Sequence, residues 1–240
     1  MIGLGTIINC AAIIVGGICG LFFGKIINER IQDSLTKASG VCVLFIGVAG
    51  ALEGMLGISE GKIVSGKSML LVLCIALGTL LGEIINIEEG FEKFGEWLKV
   101  KTGNSKDNSF LDAFLTASLT VSIGAMAIVG SIEDGLSGDF SILAAKSVLD
   151  LIIILIMTCA MGKGAIFSAI PVGILQGSVT LLASFLRPIM TEAALSNLSF
   201  IGAVLIFCVG VNLIWGKMIK VANMLPSVIF AVIAAFLPWF

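Results

Sequence analysis

Apolar residues in this chain come in blocks of about twenty, parted by short polar stretches. Twenty residues of helix rise about 30 Å, the depth of a bilayer's hydrocarbon core, and the two-residue alternation of a membrane β-barrel strand is missing. Eight blocks are predicted as spans: Ile2 to Gly24, Ala38 to Ile58, Ser68 to about Ile87, Phe110 to Ile132, Ser141 to Met161, Gly164 to Leu186, Phe200 to Ile219 and Ala222 to Phe240. Two more segments set an apolar side against charges and are predicted to lie along the membrane interface. They are Lys25 to Lys37, through Ile26, Ile27, Ile31 and Leu35, and residues 88–99, through Phe91, Phe94, Trp97 and Leu98. The expected fold is an all-α polytopic transmembrane bundle of seven or eight spans, one domain over residues 1–240.

Glycine recurs inside the blocks at helical spacing, as Gly16, Gly20 and Gly24 in the first and Gly47, Gly50, Gly54 and Gly57 in the second. Lipid gives helices no hydrophobic reason to associate, so small residues that admit a neighbouring backbone mark the packing faces. Pro171, with Gly173, Gln176 and Gly177, and Asn223-Met-Leu-Pro226 weaken backbone hydrogen bonding in the sixth and eighth blocks. Each predicts either a kink absorbed by neighbours or a functional break. Short matches suggest internal repeats. Gly50-Ala-Leu-Glu53 matches Gly130-Ser-Ile-Glu133, and Lys67-Ser-Met-Leu70 matches Lys146-Ser-Val-Leu149. Gly3-Leu-Gly5-Thr-Ile7 matches Gly162-Lys-Gly164-Ala-Ile166, which in an eight-span chain is an inverted pair.

Composition closes off several functions. Of 240 residues 58% are hydrophobic, 12% are charged and none is His, which sets aside a soluble enzyme. Without His there is no ordinary base near neutral pH and no zinc ligand set, and no nucleophile motif occurs, so no catalytic residue, metal or cofactor is expected. The six cysteines lie within apolar runs with no C-x-x-C spacing and read as small buried hydrophobes. A net charge of -2 and the lack of a basic cluster argue against nucleic acid. The first block has no basic leader before it and is expected to remain as an uncleaved helix. Loops after odd-numbered spans hold Lys25, Arg30, Lys37, Lys93, Lys99, Lys101, Lys106, Lys163, Lys217 and Lys220, and the others hold Lys62, Lys67 and Arg187. That bias places the odd loops in the cytoplasm and both termini outside.

The polar groups inside the blocks carry the candidate chemistry. Lys146 and Asp150 stand four apart, on one helix face, just inside the fifth span. Each charge costs about 2.5 to 3.5 kcal/mol at a bilayer centre, so the pair needs a partner, a cavity or a task. Two readings stay open: an ion pair that fixes helix register, or part of a gate for a substrate or ion. Their Lys-before-Asp order is the weaker one for the helix dipole, so a further partner is expected, with Glu53 the choice. Glu53 and Glu133 either snorkel to water or hold a cation or proton. Asn9, Gln176 and Asn212 read as interhelical glue or as ligands, and Asn223 as a cap for the eighth span or as a ligand.

Several stretches together resemble the YdfK/YqgA-like family of bacterial multi-pass inner-membrane proteins. They are Gly5-Thr-Ile-Ile-Asn9 with Gly16-Gly17, Leu81-Gly-Glu83, Ile170-Pro171, Asn223-Met-Leu-Pro226 and, most specifically, Gly138-Asp-Phe-Ser-Ile-Leu-Ala-Ala-Lys146-Ser-Val-Leu-Asp150. The resemblance covers essentially the whole chain and implies the fold and the bacterial cytoplasmic membrane, but no substrate. The function expected from the residues is a secondary transporter or exchanger of a small solute or ion, with Glu53, Glu133, Lys146, Asp150, Asn9, Gln176, Asn212 and Asn223 as site candidates. The rival readings are a module that packs against a protein partner and a channel. The expected partners are the lipid bilayer, a small solute or ion, and further copies of the chain.

Overall fold

A computed structural model describes all residues except 1, 25, 27, 60, 106, 108, 123, 124 and 238–240. Lys25, Ile27, Lys106 and the last residues of the expected eighth span therefore lie outside the described residues. The chain forms an all-α bundle. Helix α1 (Leu4–Gly24) is followed by α2 (Glu29–Met55), a hairpin of β1 (Leu56–Ser59) and β2 (Lys62–Ser65), α3 (Ser68–Ile85) and α4 (Ile87–Lys101). Then come α5 (Phe110–Ser122), α6 (Ala125–Ser137), α7 (Ser141–Met161), α8 (Ala169–Leu181), the short α9 (Ala183–Leu186), α10 (Glu192–Trp215) and α11 (Pro226–Ala234). Turns of 3-10 helix at Lys163–Ser168 and Val221–Met224 lead into α8 and α11.

Among the described residues six helical segments are long and apolar enough to cross a membrane, and α5 with α6 makes a seventh if the two are counted as one broken span. The eighth expected span is a short apolar helix, Val221–Ala234, too short to cross a hydrocarbon core of about 30 Å as a rod. Three boundaries correct the sequence reading. Asn28 caps α2 by accepting from the Ile31 amide at 3.0 Å, so the charged segment before Lys37 forms the first turns of the second span, not a separate interfacial helix. The second span ends at Met55 because Leu56 turns into the hairpin, and the fourth block is two helices whose axes differ by 63°. The second amphipathic segment does form its own helix, α4, with Glu88 and Glu89 in its first turn and Lys99 and Lys101 in its last, the charge order a helix dipole favours.

The glycine stripes mark the packing faces. Gly16, Gly20 and Gly24 of α1 lie against the main chain of α7 at Leu151, Leu155 and Cys159. Gly47, Gly50 and Gly54 of α2 lie against Phe207, Ala203 and Phe200 of α10, where a Cβ at Gly50 would come within 2.8 Å of Ala203. Gly57 has left this stripe for the hairpin, and α3 approaches Ser227 and Asn223 through Gly78 and Gly82.

The same contacts fix direction. Positions advance together on α1 and α7, which run parallel, and oppositely on α2 and α10, which are antiparallel. The start of α1, the end of α6 and the start of α10 therefore share an upper face. The ends of α1, α7 and α10 and the starts of α4 and α5 share a lower face, tied by Lys163 to Asp107 at 3.8 Å and Lys217 to Glu88 at 3.1 Å.

A repeat unlike the expected inverted one is visible here. Both α7 and α10 end at a glycine with positive φ, Gly162 at 97° and Gly216 at 87°, a conformation side-chain-bearing residues rarely adopt. Each glycine is followed by a lysine, a 3-10 turn and a helix with proline near its start, and both copies run in the same direction. Pro171 is the third residue of α8 and Pro226 the first of α11, where a missing N–H costs least, so neither proline kinks a helix interior.

Candidate functional site: a buried ion pair at a broken helix

Helix α7 opens after Gly138 turns the chain and Asp139 accepts from the Ser141 amide at 2.9 Å and from its hydroxyl. Those hydrogen bonds hold the Asp139 carboxyl below its usual range. From this fixed start, the sixth and tenth residues of α7 point inward. Lys146 and Asp150 are 6% and 3% exposed and pair directly. Two further groups complete the pair. Asn9 of α1 donates its amide to Asp150 at 2.9 Å, and the Lys146 ammonium donates to the main-chain carbonyl of Val121 at 2.8 Å.

That carbonyl is one of the last four of α5, which have no partner within their own helix. The break between α5 and α6 thus supplies an acceptor at depth, and the lysine takes it. A half-helix carbonyl end is where broken membrane helices hold cations, and here the cation is a side chain. The expected third partner, Glu53, is not part of the cluster. It lies exposed near the end of α2, and Glu133 is exposed near the end of α6. Both side chains lie on the outside of the bundle.

The amide candidates divide by role. Asn212 fastens the turn after α10, accepting from the Met218 and Ile219 amides at 3.0 Å and donating to the Ile219 carbonyl at 2.7 Å. Asn223 caps a different helix from the one expected: its carbonyl oxygen accepts from the Glu88 amide of α4 at 2.7 Å, while Glu88 accepts from the Ala222 amide at 3.1 Å. The reason is spatial, since the 3-10 turn before α11 packs on the start of α4. Lys217 binds Glu88 and Glu92 at this junction. Burial opposes its charge, but the hydrogen bonds it donates to Glu92 and Glu88 outweigh that and hold the ammonium above the usual lysine range. Gln176 is 1% exposed with neither amide atom hydrogen-bonded.

The sequence reading missed Asp134. It is fully buried near the end of α6 and accepts from the amides of Gly3 at 3.2 Å and Gly5 at 3.0 Å, closing the start of α1 from another helix. Its signal was periodicity: continuing the fourth block as helix to Ser137 sets Asp134 on one side with Ala127, Gly130 and Ser131.

Cavities follow α5. At the lower face a polar vestibule of about 500 Å³ is lined by Thr36, Asp107, Asp112, Thr158 and Lys163. Asp112 and Thr36 also border a space of about 240 Å³ that reaches Thr116, Leu119 and Lys217. Leu119 in turn borders an apolar space of about 300 Å³ with Ser118, Ser122, Phe91 and Pro171. Asp112, Thr116, Leu119 and Ser122 fall on one stripe of α5, so the cavities climb from the lower face to the helix break. Phe91, Pro171 and Leu175 separate the last of them from a lateral apolar groove beside Ile85, Phe94 and Ile174. None of these cavities is lined by Glu53, Glu133, Lys146 or Asp150.

These features define a polytopic helical membrane protein with a buried charge cluster at a discontinuous helix. The chain belongs to the family described as protein of unknown function (DUF554), whose model matches residues 4–236. It is 28% identical over 243 residues to the uncharacterized protein YqgA of Escherichia coli (strain K12), covering 99% of each chain. It is also 28% identical over 232 residues to the uncharacterized membrane protein YdfK of Bacillus subtilis (strain 168), covering 97% of this chain and 95% of that one. No solved structure matches this chain.

Proposed function

We propose that this protein is a secondary transporter or exchanger of a small solute or ion in the bacterial cytoplasmic membrane, with its lower face in the cytoplasm and no enzymatic activity. The observation that carries the reading is the Lys146 ammonium held on the Val121 carbonyl at the end of α5. A structural ion pair needs only its two members. This one is also tied to a helix break, and movement of α5 against α7 would have to release the lysine from Val121. The cavities along α5 supply a route toward that break from the lower face, and the neutral sum of Lys146 and Asp150 lets the cluster sit at depth between movements.

The test is flux. Protein reconstituted in liposomes is given imposed sodium, potassium and proton gradients and a panel of small amino acids, carboxylates and phosphate, with charge movement recorded on a supported membrane. Currents that vanish in Lys146→Met support transport, and the absence of protein-dependent current or tracer uptake under every gradient overturns it. In that event the lateral groove at Ile85, Phe94 and Ile174, which favours an apolar partner helix, makes the partner module the reading to pursue.

A further inference from the structure

The contacts among α1, α6 and α8 set their register, and that register brings several unpaired polar groups to one level. Cys10 of α1 meets α8 at the Ala169 carbonyl, 3.4 Å away, and a Cβ at Gly173 would come within 3.1 Å of its sulfur. Ala169, Gly173, Gln176 and Thr180 share one stripe of α8, so Gln176 faces α1 one turn above Cys10. Thr6 stands one turn above Cys10 on the matching stripe of α1, and the antiparallel register brings Thr6 and Gln176 to one level. Helix α6 closes the third side, because Gly135 lies against Thr180 while Asp134 holds the amide of Gly5. Ser131, one turn below both, falls at the level of Gln176.

Thr6, Asn9, Ser131 and Gln176 are buried, Asn9 and Ser131 completely. The Thr6 and Ser131 hydroxyls, the Asn9 oxygen and both Gln176 amide atoms have no hydrogen-bond partner. A buried amide left unpaired costs about 2 to 7 kcal/mol, so Gln176, with both amide atoms unpaired and three more unpaired oxygens at its level, is where a ligand would gain most.

The donor set identifies its class. Among the described residues no group of three or more Cys, Asp or Glu side chains could hold a metal ion, which argues against a soft or divalent ion. Four neutral oxygens suit a small hard monovalent cation. The charge balance agrees, because Asp134, Lys146 and Asp150, counted in their ionised forms, sum to one negative charge around this space.

We propose that the space between α1, α6 and α8 is a sodium site formed by the oxygens of Thr6, Asn9, Ser131 and Gln176, and that sodium is the coupling ion of the transport read above. Asn9 links the two centres: its amide holds Asp150 while its oxygen faces the ion, so occupancy of the site bears on the ion pair at the helix break.

The test reads binding without transport. Thermal unfolding of the purified full chain in detergent is followed while sodium chloride replaces choline chloride at constant ionic strength, with potassium chloride as a second arm. A saturable rise in Tm with sodium is expected, its midpoint weakened by about tenfold or more in Gln176→Leu and in Thr6→Val, since a hydrogen bond or ligand contact to a charge is worth about 1.5 to 3 kcal/mol. Ser227→Ala, which removes another unpaired hydroxyl outside the site, should respond as the parent does. In choline alone Gln176→Leu should be at least as stable as the parent, because an unpaired amide has been removed; should it fail to fold, Thr6→Val and Ser131→Ala carry the comparison. No sodium response in the parent, an equal response to potassium, or a sodium midpoint unmoved in the site variants overturns the proposal. Sodium binding without flux would leave the site and remove transport, and flux without a sodium response would do the reverse.

Discussion

The Lys146 ammonium donates to the main-chain carbonyl of Val121, 25 positions earlier in the chain, while pairing with Asp150 on its own helix. One side chain thereby closes a helix end and neutralises a buried acid.

Removing one member leaves the other exposed to the full cost of burial. Lys146→Met and Asp150→Leu should each destabilise the fold by about 3 to 5 kcal/mol, and the double variant should recover much of that loss. Chemical or thermal unfolding of the three variants checks this. If the cluster serves transport, the double variant should remain folded and carry no flux. Full flux in the double variant would reduce Lys146 and Asp150 to a structural pair.

The glycine face of α2 should tolerate no bulk. Gly47→Leu and Gly54→Leu force side chains into the Phe207 main chain and the Phe200 ring and should cost about 1 to 3 kcal/mol or more, as overpacking does. Leu52, 48% exposed on the lipid side, should accept Ala with far less effect. Comparable Tm losses for Leu52→Ala and Gly47→Leu in detergent would mean that α2 does not pack on α10 through this stripe.

Asp134 should act as a charged cap on a helix it does not belong to. Asp134→Ala takes away both acceptors of the Gly3 and Gly5 amides, and a loss of about 1 to 3 kcal/mol is expected. Amide hydrogen exchange would localise the effect: faster exchange confined to the first turn of α1 is the expected pattern, and unchanged protection there counts against the cap.

At the lower face the junction of α4 with the turn before α11 depends on Lys217. Its ammonium is held above the usual lysine range in the folded state, so its contribution is fully present below the unfolded lysine value and is lost only as pH rises through the raised one. With the side chain 44% exposed, solvent screening limits the effect of Lys217→Gln to about 1 kcal/mol or less. The difference from the parent should stay constant through neutral pH and close only in strongly alkaline solution, which unfolding at stepped pH would show.

The lysines and arginines toward the lower face predict an orientation with that face in the cytoplasm. A single cysteine placed at Gly103, in the loop after α4, should resist a membrane-impermeant maleimide in intact cells and react after permeabilisation. The six native cysteines all lie within helices, so the new site is the exposed loop thiol. Labelling from outside would invert the assignment.

Local rules written in the sequence settled a great deal of this protein. Apolar block length requires helices in a bilayer, because every backbone polar group must be satisfied within its own segment, and the glycine spacing of α1 and α2 names the faces that touch. The four-residue step from Lys146 to Asp150 makes their pairing readable from the chain alone. Tertiary structure decided which groups join them. Asn9 and the Val121 carbonyl reach the pair from α1 and α5, and no periodicity within α7 records which helix lies beside it. Glu53 looked a fitting partner because its chemistry was right, yet its place near the upper end of α2 turns it outward. Asp134, which falls beyond the fourth predicted span, is buried because α6 runs on to Ser137 and brings it to the open amides of α1. The break in α5 and the unpaired layer around Gln176 are likewise properties of helices meeting, and contacts between distant segments are set by the packing of the whole bundle.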